Sequence, residues 1–200
     1  MRKRGREHQA RTNKHSADDA PSQKRTMLGE GDLDDHLDGI NGPPFVLILD
    51  CVQDPQNLGA ILRTADGAGV HAVVVPKDKA VGITDTVRRI SVGAADSVPF
   101  FQVTNLSRTL KHLQDRGLWL TGTSDHATDE FYAMDFTGPI GIVMGAEATG
   151  LRRLTEEACD HLVQLPMNGV VDCLNVSVTT GICLYEVVRQ RTVQMKGKSA

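Results

Sequence analysis

A chain of 200 residues with net charge −3 and 40% hydrophobic residues suits one globular domain with or without an arm, able to bury about 70% of its unfolded surface. No run of 18 apolar residues occurs, so no membrane-spanning helix is expected, and the charged start lacks the apolar stretch and cleavage site of a secretory leader, so the expected location is cytoplasmic. Cys51, Cys159, Cys173 and Cys183 form no CxxC pair and share no zinc-spaced histidines, which argues for reduced thiols and against a disulfide framework or a structural metal.

Charge is unevenly placed. Residues 1–28 hold eight Lys/Arg against three acids, residues 29–44 hold five acids and no Lys/Arg, and the remainder is nearly balanced. Bulk charge therefore does not mark a basic nucleic-acid module, and any RNA contact has to use local patches and the N-terminal arm. Residues 1–44 are polar and almost free of β-branched and aromatic side chains, which predicts a flexible arm or linker, with Pro43-Pro44 as the boundary to a domain over 45–200.

Beyond that boundary, apolar runs alternate with helical patterns. FVLILD (45–50) precedes a helix over about 57–68, HAVVVP (71–76) precedes a helical stretch near TDTVRRISVG, and VPFFQV (98–103) precedes a helix over 105–117. LWLTGT (118–123), PIGIVMG (139–145), a short helix over 151–159, HLVQLP (161–166) and a helix from 175 to about 190 complete the chain. Continuously apolar strands separated by helices predict an α/β fold, a mostly parallel sheet of about six strands with helices on both faces.

Ligands of open parallel sheets bind beyond the carboxyl ends of the strands, which directs attention to the loops after Leu49, Leu120, Met144 and Leu165. In DPQNLGAILRTADGAG, Asp54 or Asn57 could cap the helix, and Arg63 could be either a solvated surface cation or a functional one. In GAEATGLRRL, Gly145 and Gly150 permit close backbone approach to a ligand around Glu147, which otherwise reads as a loop acid. Arg152 and Arg153 offer phosphate-binding charge or a solvated helix start. In LPMNGVVDCLNVSVTTG, one capping residue would suffice, yet Cys173, Asn175 and Ser177 cluster at the helix threshold. GAGVHA (67–72) matches a dinucleotide fingerprint but runs from helix into strand, the reverse of the order that places phosphate on a helix N-terminus. Neither a P-loop nor a G-x-S-x-G elbow is present, and no histidine lies locally to activate Cys173 as a nucleophile.

Together NLGAILRTADGAGV, IVMGAEATGLRRL and LPMNGVVDCLNVSVTTGICLYE resemble, in order and spacing, the three motifs of the SpoU family of RNA ribose 2′-O-methyltransferases within the SPOUT superfamily, over about residues 45–191. The resemblance is strongest to the branch that acts on a guanosine of 23S ribosomal RNA. It implies S-adenosylmethionine as cofactor, no metal, a deep trefoil knot at the C-terminal end, a homodimer, and an RNA substrate, ribosomal rather than transfer RNA. It also implies Arg63, Asn57, Glu147, Asn175 and Ser177 as catalytic-site residues, and Thr121, Gly122, Thr123, Gly145, Leu165, Met167 and Leu174 as the cofactor wall. Arginine is a poor base, so Arg63 is expected to engage a phosphate or the 2′-oxygen electrostatically. Cys173 stands where the family carries serine, and relatives carry an N-terminal RNA-binding domain that residues 1–44 do not resemble. Those departures keep a rival reading open, a non-catalytic RNA-binding or ribosome-assembly factor of the same fold; a nucleotide-binding oxidoreductase is a third.

Overall fold

A computed structural model describes residues 27–147 and 149–198, the side chain of Lys198 excepted. In chain order the strands are β1 (Leu28–Gly29), β2 (Phe45–Leu49), β3 (Ala72–Pro76), β4 (Phe100–Val103), β5 (Trp119–Thr123), β6 (Asp129–Glu130), β7 (Ile140–Met144) and β8 (His161–Gln164). The helices are α1 (Leu33–Asp38), α2 (Pro55–Ala68), α3 (Asp85–Ser91), α4 (Ala94–Ser97), α5 (Leu106–Asp115), α6 (Arg153–Glu156) and α7 (Val176–Lys198).

All six apolar runs are strands. The described residues nevertheless form an eight-stranded sheet, in the order β1-β4-β3-β2-β7-β5-β8-β6, with every pairing parallel. The two additions are edge strands of two residues each, Leu28–Gly29 and Asp129–Glu130. Each is too short to carry the apolar run that makes an interior strand legible, although Leu28 of β1 packs against the core.

Every residue of β2, β3 and β7 is buried, because helices cover both faces. Phe45, Leu47 and Leu49 pack with Leu58, Ile61 and Leu62 of α2 and with Cys183, Leu184 and Val187 of α7. On the opposite face Val46 and Ile48 pack with Leu106, Leu110 and Leu113 of α5. From β2 the chain steps outward through β3 to β4, then returns to lay β7, β5 and β8 on the other side of β2. Since all strands are parallel, the loops that follow β2, β5, β7 and β8 emerge side by side at one edge of the sheet. The GAGVHA segment is the αL termination of α2 at Gly69 (φ 70°) leading into β3, which disposes of the dinucleotide reading.

Residues 27–44 depart from the expectation of a flexible arm, while residues 1–26 lie outside the described residues. Leu33 and Leu37, four apart on α1, are 1% and 4% exposed and join the core beneath α5. The acids around them meet the cations of α5 and its C-terminal end: Glu30 accepts from Arg108 at 2.7 Å, Asp34 pairs with His112 at 2.6 Å, and Arg116 bonds Asp34 at 3.2 Å and also Asp38. Average polarity concealed two leucines on one face and a charge pattern complementary to α5.

His71 joins this segment to the sheet. Its Nδ1 accepts the Phe45 N–H at 2.9 Å, and its carbonyl bonds His36 Nε2 at 2.7 Å. Burial, then the nearby Arg191 guanidinium, lowers its pKa below the usual histidine value. The unfolded chain therefore takes up this proton more readily than the folded one, so the stability tied to His71 is complete above about pH 6.5 and declines as the pH falls below it. The urea midpoint should drop between pH 7.5 and 5.5, and by less in His71→Asn, whose amide oxygen can still accept from Phe45; an equal drop in both proteins would remove His71 from that role.

Candidate active site

Three loops meet at the carboxyl edge. After β2, Cys51 turns the chain through a left-handed conformation (φ 64°) and Asp54 caps α2, its carboxylate accepting the Gln56 N–H at 2.8 Å with Pro55 in the first turn. Capping thus falls to Asp54 and leaves the Asn57 side chain free. After β7, the segment 146–150 closes on itself by reciprocal backbone bonds between Ala146 and Gly150, of 3.1 and 2.8 Å. At its base Gly145 packs so closely that a Cβ there would lie 2.2 Å from the Gly150 carbonyl carbon, and Gly150 itself has φ 63°.

Before α7, Asn175 has two roles. Its Oδ1 accepts from the Ser177 N–H at 3.0 Å and the Ser177 hydroxyl at 2.6 Å, capping the helix. Its Nδ2 reaches Asn57 Oδ1 at 3.1 Å and Glu147 Oε2 at 3.5 Å, and Asn57 Nδ2 also points to Glu147 Oε2 at 3.5 Å. Asn57, Glu147, Asn175 and Ser177, drawn from positions up to 120 apart in the chain, are therefore one hydrogen-bonded group.

Beside this group opens a pocket of about 730 Å³, within the usual range for small-molecule sites. Of the expected cofactor wall, Thr123, Gly145, Leu165, Met167 and Leu174 line it, as does Glu147. Thr121 and Gly122 do not. They precede the carboxyl end of β5: Thr121 is only 2% exposed, and Gly122 is covered by the side chains of Cys159 and Leu151, which a Cβ there would meet at 2.8 Å. Met144, Val163 and Val176 add apolar surface that the loop-centred sequence reading passed over, and Asp125, Glu156 and Asp172 add carboxylates. Arg153 is the pocket's arginine, and it is paired with Glu157 at 2.6 Å. Cys173 also lines the pocket; desolvation, then Asp172, Glu147 and Asp125, push its thiol above the ordinary range, which keeps it a neutral thiol at pH 7.

Two arginines differ from expectation. Arg152 is paired rather than simply solvated: its Nε donates to Asp50 Oδ1 at 2.7 Å, Nη2 makes an ion-pair contact with the same oxygen at 2.7 Å, and its N–H donates to Asp50 Oδ2 at 2.9 Å. Asp50 itself was missed by sequence reasoning, although a lone acid closing the apolar run FVLILD required a buried partner. Arg63 lies on the exposed side of α2, among neither the pocket-lining residues nor the hydrogen-bonded group. Within one chain, then, four of the five expected catalytic residues come together and the fifth does not.

Residues 44–185 match the model of the SpoU rRNA Methylase family, and the chain belongs to that family. It is 60% identical over 161 residues to the 23S rRNA (guanosine-2'-O-)-methyltransferase RlmB of Ralstonia nicotianae, covering 80% of this chain and 65% of that protein. It is 56% identical over 180 residues to the protein of the same name from Pseudomonas syringae, covering 90% and 71%. The chain thus spans about two thirds of the length of these relatives. Among solved structures, the SpoU methyltransferase AviRb from Streptomyces viridochromogenes, in complex with the cofactor AdoMet (S-adenosylmethionine), superposes with a TM-score of 0.74 at 29% identity over 81% of this chain and 65% of that one. The A. aeolicus TrmH/SpoU tRNA modifying enzyme gives 0.70 at 31% identity over 75% and 76%.

The closeness of Gly145 to Gly150 yields a direct test. In Gly145→Ala the added methyl meets backbone rather than a movable side chain, so the loop has to shift, at a cost of roughly 1–3 kcal/mol. Urea denaturation of the variant should show that loss; a midpoint equal to wild type would contradict the packing.

Proposed function

We propose that this protein transfers a methyl group from S-adenosylmethionine to a ribose 2′-hydroxyl of RNA, a guanosine of 23S ribosomal RNA, in the cytoplasm and as a homodimer with a knotted C-terminal end. The observation that carries the reading is the junction of Asn57, Glu147 and Asn175 at the edge of the pocket, because it unites all three motif segments in one place. Family membership, the names of the relatives and the AdoMet-bound neighbour support it.

The pocket suits the cofactor chemically. Met144, Val163, Leu165, Leu174 and Val176 offer an apolar bed for an adenosine, while Asp125, Glu147, Glu156 and Asp172 supply negative potential for a sulfonium and an ammonium group. The same carboxylates oppose a dinucleotide's pyrophosphate, a second argument against the oxidoreductase. The bound cofactor supplies an electrophilic methyl group. The protein's remaining tasks are to orient the ribose oxygen, exclude competing water and ease departure of the hydroxyl proton.

Asn57, Glu147 and Asn175 brace one another, and Ser177 holds the Asn175 amide by hydrogen bonding to Oδ1. This arrangement fixes donors and acceptors where α2 and α7 begin. Arg63 supplies positive charge for the RNA backbone or the developing 2′-oxyanion. Because it is exposed and outside the pocket of its own chain, we assign it to the site completed by a second copy. Val178 and Tyr185, 51% and 52% exposed, support that assignment: their stretch of α7 packs on α2 where Thr64 approaches Gly181 and the Tyr185 hydroxyl approaches Gly67, close to Arg63 in the chain.

Methyl transfer from labelled S-adenosylmethionine to ribosomal RNA, with mapping of the modified ribose, tests the proposal. Arg63→Ala should reduce the rate about a hundred- to a thousandfold while cofactor binding persists. Mixing it with Gly145→Ala should restore part of the activity if each site draws on two copies. Cofactor binding without transfer to any ribosomal RNA would favour the non-catalytic assembly factor, and undiminished transfer by Arg63→Ala would remove that residue from the chemistry.

A further inference from the structure

Asp50 is fully buried, yet it belongs to none of the three motifs. Its carboxylate takes two hydrogen bonds from Arg152, one from Nε and one from the backbone, an ion-pair contact from Nη2 at 2.7 Å, and a longer hydrogen bond from the Cys51 thiol at 3.4 Å. Its own N–H bonds the Met144 carbonyl at 2.8 Å, where β2 and β7 end side by side. Arg152 immediately follows the 145–151 loop, so the ion pair closes the loop's exit against the strand end that feeds Asp54 and Asn57.

We propose that Asp50 is a positioning residue of the site: acting through Arg152, it fixes the 145–151 loop relative to α2, and so places the Glu147 carboxylate and the pocket wall formed by Gly145, Ala146, Thr149, Gly150 and Leu151. The loop's own restraints do not achieve this. The paired bonds between Ala146 and Gly150 close it internally without tying it to β2, and the contacts of Glu147 with Asn57 and Asn175 are both 3.5 Å long. The Asp50 N–H and the β2–β7 pairing hold the loop's entry; among the described residues, it is the Asp50 carboxylate that joins the loop's exit, by short charge-assisted bonds, to the strand that leads to Asn57.

The inference uses the methyl-transfer reading for one of its two readouts and stands without it for the other. The variants are Asp50→Asn and the double change Asp50→Asn with Arg152→Gln. The double change leaves no uncompensated buried charge and so guards against simple failure to fold. Leu110→Ala, in the core against the far face of the sheet, serves as a destabilised control. Amide exchange at Gly150 and Arg152, relative to Ile142 and Val143 of β7, should quicken about tenfold or more in the Asp50 variants and stay unchanged in the control. Affinity for S-adenosylmethionine, measured by titration below all melting transitions, should weaken roughly ten- to a hundredfold in the Asp50 variants only. Unchanged loop exchange would overturn the proposal, as would equal loss of affinity in the control. Should the wild-type protein fail to bind the cofactor at all, the functional reading fails, and the exchange measurement still decides the role of Asp50.

Discussion

The hydrogen bonds among Asn57, Glu147 and Asn175 are the interaction on which the rest of the site depends. Asn57 lies in the first turn of α2, Glu147 in the loop after β7 and Asn175 just before α7, and the two partners lie 90 and 118 residues from Asn57. An amide and a carboxylate held this way limit where the starts of α2 and α7 can lie relative to the loop after β7. The site is consequently a property of the sheet, which brings three strand ends to one edge, and of three short side chains that reach across it.

The sheet accounts for why these loops and not others are joined. With all pairings parallel, every strand delivers its following loop to the same edge, and the order β2-β7-β5-β8 gathers the loops after β7, β5 and β8 over one pocket, with the loop after β2 beside it. The pocket then acquires its character from what those loops carry: apolar side chains at the strand ends, carboxylates at Asp125, Glu147, Glu156 and Asp172, and an arginine already occupied by Glu157. A cationic, largely apolar small molecule fits that potential better than a polyphosphate does.

Much of this was legible in the sequence for a definite reason. Strands buried on both faces have to be continuously apolar, so β2, β3 and β7 announced themselves, and the cap of α7 was visible as Asn175. What escaped notice depended on partners distant in the chain. β1 and β6 are two residues each, too short to show a side-chain pattern. α1 folds against α5 because Leu33 and Leu37 find a core and Asp34 finds His112 and Arg116, none of which a count of polar residues registers. The Asp50–Arg152 pair spans 102 positions. Arg63 shows the converse: its motif was readable, while its place outside the single-chain pocket followed only from the packing of α2.

If the three loops work as one unit, removing two members of the junction should do little more harm than removing one. A double-mutant cycle of Asn57→Ala and Asn175→Ala on the rate of methyl transfer measures this directly. The expected result is strong non-additivity, with the double variant close to the worse single one. Losses that simply multiply would mean that the two amides act separately and that no shared junction governs the site.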